Sequence, residues 1–209
     1  MGNAGRRPAF AAKERGTAPA VYDAGMNPLL MDIPESIESE RLIIRAPRAG
    51  DGAGVNAAVR ESIAELRPWM PWAKEIPTLE ESEALIRRKQ AEFMAREDLM
   101  LLMFLKDGMH VGGTGLHRID WAVPKFEIGY WVRTSLTGRG YMTEAVNAIA
   151  AFAFGALRAR RVAIRMDDRN VRSWRVAERC GFHLDGLLRH DALASDGTLC
   201  NTRIYSRIA

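Results

Sequence analysis

An apolar, strand-like run, KFEIGYWV at residues 125–132, is joined to an apolar, helix-like one through SLTGRGYM at residues 135–142. A tight turn needs one glycine. Two, Gly138 and Gly140, strip Cβ atoms from neighbouring amides and permit backbone angles that other residues avoid. The helix that follows adds unpaired N–H groups and the positive end of its dipole. The segment is therefore a structural turn or a cradle for phosphate or pyrophosphate, with Arg139 inside it and Arg133 just before. The residues alone leave both readings open. No lysine follows the second glycine, as in a nucleotide phosphate loop, and the three-glycine dinucleotide pattern is absent.

Charge distribution favours an anionic ligand. The net charge of +4 hides a block at residues 131–180 with ten arginines against four acids, while residues 31–130 carry 13 bases and 17 acids. A basic block is ordinarily a solvated face. Here it coincides with the glycine turn, and arginine forks suit phosphate. Stacking aromatics are not interleaved with these arginines, which argues against a nucleic-acid groove. With 209 residues and 47% hydrophobic content, the chain makes one large domain or one domain with an arm. No apolar run reaches membrane length, and the start lacks the apolar core of a secretory signal. Cys180 and Cys200 form neither a disulfide framework nor a zinc spacing. A cytoplasmic location and buried thiols are expected. His110 and His117 differ by an odd number, so a regular strand sends them to opposite faces, and no metal site is expected.

Residues 1–35 read as an arm without sustained periodicity. A strand is expected over residues 39–47, then a broken helical region ending in the LRPWMPWA corner. Thr78 and Glu81 form a capping box for a helix on which Leu79, Ile86, Phe93 and Met94 keep near-helical spacing. Two apolar runs flank an Asp107-Gly108 hairpin turn. After the glycine turn come a helix ending near Gly155, the strand RRVAIRMD, a helix stopped by Gly181, and two strands around residues 195–197. This order predicts a mixed α/β sheet covered by helices.

The run EIGYWVRTSLTGRGYMTEAV resembles the acyl-CoA-binding core of the GNAT superfamily of N-acyltransferases. More narrowly, it is similar to the RimJ/RimL type, which acetylates protein N-termini. The resemblance extends from residue 39 to the C-terminus through ERLIIRAPRAGD, LRPWMPWA, GRGYMTEA, DDRNVRSWRVAERCGF and DGTLCNTRIYSRI. It implies a single acetyltransferase domain over residues 36–209 after the arm, with about seven strands and two splayed central ones. Acetyl-CoA is the implied co-substrate, lying between the splayed strands. By position, the resemblance puts the pantetheine arm on the backbone of Trp131 and Val132. It puts the pyrophosphate on the amides of Gly138, Arg139, Gly140, Tyr141 and Met142, with Arg133 close by. Asn170 falls where the family bonds the pantetheine amide, and Ser173 where RimL-type enzymes place a serine near the sulfur. Trp69 and Trp72 fall at the edge of the acceptor groove. Two positions depart from the pattern: Ser135 replaces a usual Gln or Arg, and Ala192 stands where RimL-type enzymes carry a glutamate, beside His190 and Asp191.

Acetylation of an amine by a thioester requires an ammonium to lose a proton and an oxyanion and a thiolate to be stabilised. Glu127 lies in the strand where several superfamily members carry a base, and an apolar strand raises a carboxyl pKa. Its alternative is a salt bridge. For Ser173 the alternative to sulfur contact is helix capping. The expected function is an acetyl-CoA-dependent N-acetyltransferase acting on a primary amine, foremost a protein N-terminal α-amine. Polyamine or aminoglycoside acetylation is the alternative within the class, and a non-catalytic acyl-CoA-binding module the alternative outside it. The oligomeric state is not set by these residues; a homodimer is allowed.

Overall fold

A computed structural model describes residues 27–209. Much of the expected arm over residues 1–35 lies outside the described residues. Within its described part Ile33 is buried in the main core, and the Ala46 amide donates to the Glu35 carbonyl (2.7 Å).

Strands β1 (Ser36–Glu38), β2 (Leu42–Arg45), β3 (Leu99–Leu105), β4 (His110–Asp120), β5 (Lys125–Val132), β6 (Arg161–Asp167), β7 (His183–Leu193) and β8 (Leu199–Ile208) form one sheet in the order β1-β2-β3-β4-β5-β6-β8-β7. Helices α1 (Gly52–Leu66) and α2 (Leu79–Met94) cover one face; α3 (Tyr141–Gly155) and α4 (Val171–Arg179) cover the other. Eight strands replace the expected seven or so because β1 adds a three-residue edge to β2. The first expected strand is shorter than its apolar run, since residues 39–41 turn between β1 and β2.

Local chemistry accounts for the helices. Thr78 and Glu81 make the capping box of α2 reciprocally. Its expected apolar stripe is only half used. Ile86 and Phe93 are buried, whereas Leu79 and Met94 are exposed because they fall at the two ends of the helix, beyond the sheet. On α3, Met142, Ala145, Val146, Ile149, Ala150 and Ala153 form a buried stripe at helical spacing. The three alanines among them let α3 lie close to the sheet, and truncating the fully buried Ile149 to alanine costs about 2–5 kcal/mol.

The sheet is forked at its centre. β5 and β6 are its parallel pair, and they bond only through Lys125↔Arg161, Phe126↔Val162 and Glu127↔Ala163. Beyond Glu127 the strands part, each remaining paired on its outer side, β5 with β4 and β6 with β8. A second irregularity overturns an expectation. Between Met103 and Phe104 the β3–β4 register shifts, with Met103 opposite Gly112 and Phe104 opposite His110. That bulge reverses the alternation along β4. His110 packs under α1 against Phe104 and Trp131, and His117 pairs with Glu127, so both histidines lie on the α1/α2 face. Among the described residues no helix is long and apolar enough to cross a membrane, and no three His, Cys, Asp or Glu side chains gather to hold a metal. Cys180 and Cys200 are buried free thiols.

Candidate active site

Gly138 (φ 75°) and Gly140 (φ 81°) both adopt the left-handed conformation that favours glycine, and Gly140 is the N-cap of α3. The amides of residues 138–142 thus precede and open a helix at the wide end of the fork. The turn is held from the start of the domain. Arg41 Nη1 donates to the Arg139 carbonyl (2.9 Å), its Nε donates to Glu144 Oε2 (2.6 Å), and its guanidinium lies 4.6 Å from the Tyr141 ring centroid. Glu144 also accepts from the Arg41 amide and from Ser39 Oγ, both at 2.8 Å. Burial would raise the Glu144 carboxyl pKa, but these hydrogen bonds and the Arg41 charge outweigh it and hold the group ionised below its usual range. The ERL and TEA segments are therefore two ends of one clamp.

The approach to the turn is fastened by α1. Arg133 Nε donates to Glu61 Oε2 (2.5 Å), the Ser135 amide to Glu61 Oε1 (2.9 Å) and the Thr134 amide to Ser62 Oγ (3.0 Å). This corrects the expectation for Arg133. Its guanidinium serves Glu61, a partner 72 residues away, rather than standing free beside the turn amides. The Arg139 side chain is exposed on the turn.

Across the fork, β5 meets α4. Tyr130 OH donates to the Ser173 carbonyl (2.9 Å) and lies 3.0 Å from Ser173 Oγ. Burial pushes the Tyr130 pKa up to about 12, against the lowering effect of Ser173, so the phenol stays protonated at neutral pH. Asn170 Oδ1 accepts from the Ser173 amide (3.1 Å). Helix capping thus belongs to Asn170, and Ser173 Oγ is turned toward Tyr130. Asn170 thereby commits its Oδ1 to the cap of α4.

On the α1/α2 face, a cleft of about 430 Å³ opens at the narrow end of the fork, lined by Pro68, Trp69, Glu127, Arg165, Asp167 and Asp191 among others. Glu127 stands between Arg118 (Nε 3.7 Å) and Arg165 (Nε 4.0 Å), both beyond hydrogen-bond reach. Burial raises its pKa, while Arg118, Arg165 and His117 pull it down to a lesser extent. Arg165 Nη2 bonds Asp191 at 2.8 Å. The β7–β8 register shifts between Leu188 and Ala192, and His190 takes φ 51° there. The bulge directs Asp191 to Arg165, beside the Ala192 position. Trp69 lines the cleft, whereas Trp72 stands edge-on against Trp131 with ring centroids 6.0 Å apart. Trp131 sends its ring under α1 and can offer only backbone to the fork, as can Val132, whose side chain packs into the main core.

The structure therefore gathers the residues singled out from sequence into two groups. Residues 138–142, Asn170 and Ser173 surround the fork, and Glu127 and Trp69 share the cleft. Arg41, Tyr130 and Arg165 also belong here and were missed, while Asp191, noted only as a neighbour of Ala192, proves to be the partner of Arg165. Arg41 had a signal in the ERL run; the others became visible only when strands distant in sequence met.

The fork and the glycine turn fit a long, phosphate-bearing thioester: parted strands expose backbone, and a bare helix N-terminus faces them. Comparison with known proteins agrees. The acetyltransferase (GNAT) domain pattern matches residues 41–183. "Putative ribosomal N-acetyltransferase YdaF" of Bacillus subtilis (strain 168) is 29% identical over 172 residues, covering 80% of this chain and 91% of that protein. The ribosomal-protein-serine acetyltransferase of Escherichia coli (strain K12) is 28% identical over 149 residues, covering 70% and 83%. Among solved structures, RimL, the ribosomal L7/L12 α-N-protein acetyltransferase in complex with coenzyme A, superposes with a TM-score of 0.78 at 23% identity, covering 83% of this chain and 98% of that one. The microcin C7 self-immunity acetyltransferase MccE, in complex with acetyl-CoA and AMP, gives 0.76 at 22%, covering 82% and 94%. At such identities the structures speak for the fold, and the domain match for the family. The chain belongs to the GNAT acetyltransferases and is an acetyl-CoA-dependent N-acetyltransferase.

Proposed function

We propose that the acceptor is the N-terminal α-amine of a protein, taken up in the cleft beside Glu127 and acetylated by direct attack on the thioester. The observation that carries this reading is the fork: it opens on the pyrophosphate-type turn at one end and on a carboxylate-bearing cleft at the other. The amides of Gly138, Arg139, Gly140, Tyr141 and Met142 hold the pyrophosphate. The β6-facing backbone of Trp131 and Val132, freed by the splay, pairs with the pantetheine arm, and Asn170 Nδ2 donates to its amide. Glu127 takes a proton from the ammonium, directly or through water. A β5 amide beyond Glu127 bonds the oxyanion, and Ser173 Oγ gives the thiolate its proton as the Tyr130 hydroxyl, 3.0 Å away, gives Oγ its own, to be restored from solvent.

The preference for a peptide rests on the curated relatives, two of which are named for ribosomal acetylation, and on the cleft. Its acids are matched by Arg118, Arg165 and Arg169, so it lacks the surplus of negative charge a polyamine would require. The edge strand β7 and the exposed Trp69 supply pairing and an apolar wall for an extended N-terminus. Thiol release from acetyl-CoA, measured with serine-initiated peptides and with spermidine, tests this. Peptides should turn over faster. Faster turnover of spermidine than of every peptide, at low and moderate salt, would overturn it.

A further inference from the structure

On the α1/α2 face, β4 and β5 present a floor without side chains, where Gly115 pairs with Gly129. The His117 imidazole lies flat on it. A Cβ built at Gly115 would come within 2.9 Å of Cε1 and Nε2, and one at Gly129 within 2.9 Å of Cδ2 and 3.2 Å of Nε2. His117 Nδ1 is 2.7 Å from Asp98 Oδ2, and Asp98 lies 3.4 Å from Lys89 Nζ. An ionised carboxylate only accepts, so Nδ1 is the nitrogen that donates to Asp98, and in the neutral ring Nε2 carries the lone pair. Nε2 lies over Gly115 and Gly129, and Gly129 stands beyond the last rung of the β5–β6 ladder, where the strands part. Glu127 is the cross-strand partner of His117. The imidazole is 30% exposed, which gives it access to water.

We propose that His117 completes the proton path of the transfer reaction: the proton leaving the acceptor ammonium passes through Glu127 and a bridging water to His117 Nε2 and then to solvent. Asp98 holds the ring in the tautomer this path needs. The inference rests on Glu127 being the base. An N–H bond of the ammonium breaks as an O–H bond forms on Glu127. Glu127 gives that proton to a bridging water as the water gives one of its own to Nε2, and the imidazolium returns its Nε2 proton to solvent. His117 and Asp98 touch no substrate atom, so both are positioning residues. The charged groups facing His117 are Asp98, with Lys89 and Glu92 of α2 behind it, Glu127 of β5, Arg118 next on its own strand, and Arg165 of β6 beyond Glu127.

The test is kcat against pH for the full chain with acetyl-CoA and a serine-initiated peptide, in wild type, His117→Gln, Asp98→Asn, Glu127→Gln and His117→Gly with added imidazole. His117→Gln should lower kcat about tenfold, less than the roughly 10²-fold or more that a group transferring the proton directly contributes, with acetyl-CoA affinity by calorimetry unchanged. Asp98→Asn should move the pH profile in the same direction. Imidazole should restore His117→Gly and leave Glu127→Gln unimproved. A wild-type profile in both His117→Gln and Asp98→Asn overturns the path through His117 while leaving Glu127 as base if Glu127→Gln is slow. A wild-type rate in Glu127→Gln overturns the base assignment and this path together. Should His117→Gly fail to fold, Asp98→Asn and His117→Gln decide.

Discussion

His110 carries a cost that acid should reveal. It is buried, neither ring nitrogen has a hydrogen-bond partner, and its pKa is lowered to about 4 by burial, with Asp51 opposing and Arg133 and Arg45 assisting. Between pH 6.5 and 4 the unfolded chain binds a proton there that the folded one refuses. Stability is therefore full above about pH 6.5 and falls by about 3 kcal/mol on reaching pH 4. Denaturant melts at several pH values should show this fall reduced in His110→Leu. Glu127 behaves oppositely, since its raised pKa makes the ionised form the expensive one and its stability cost appears as pH rises. Glu127→Gln should therefore melt higher than wild type at pH 8 while kcat drops about 10²-fold with CoA affinity unchanged. Glu127 was legible as a charge inside an apolar strand. The two histidines were misassigned in relation to each other because one inserted residue in β4 reverses parity, and Gly112-Gly113 was the only hint of it.

The strand–turn–helix element was the most readable part of the chain, because only glycine tolerates the two left-handed positions. What fastens it was not readable. Arg41 and Glu61 stand 98 and 74 residues from the turn atoms they hold, and neither clamp has periodicity. The clamp predicts an effect at a distance. Arg41→Ala should weaken CoA binding about tenfold, roughly 1.4 kcal/mol, by loosening Arg139 and Glu144. Gly140→Val should weaken it further, because its φ of 81° strains any side chain and its Cβ would approach Arg41 Nη2 to 3.4 Å. Gly138 has open space around it, so a substitution there acts through backbone strain alone. Calorimetry with CoA orders the three. A three-residue strand such as β1 leaves no alternation to read, and the ends of α2 reach past the sheet where apolar spacing has nothing to cover.

The molecule as a whole is two half-sheets joined by three rungs, and the proposed CoA site lies where rungs are missing. CoA should therefore act as a brace. At 100 times its dissociation constant it adds about 2.7 kcal/mol, roughly 5–10 °C in Tm for a chain this size, and added salt should shrink the gain by weakening the pyrophosphate contact. A melt unaffected by CoA would contradict the arrangement. The mixed sheet was legible in the order of elements; its fork was legible only by resemblance, since nothing in KFEIGYWV or RRVAIRMD says that their pairing stops halfway.

The strand order has a consequence for synthesis. β8 follows β7 in the chain yet lies between β6 and β7. As the polypeptide leaves the ribosome, the β6 edge stays open through the emergence of β7, which has no place in the sheet until its successor arrives. During that interval the nascent chain carries a complete glycine turn but a cleft without the wall that Cys200 and Thr202 of β8 give it, so the cleft takes shape only once β8 has paired.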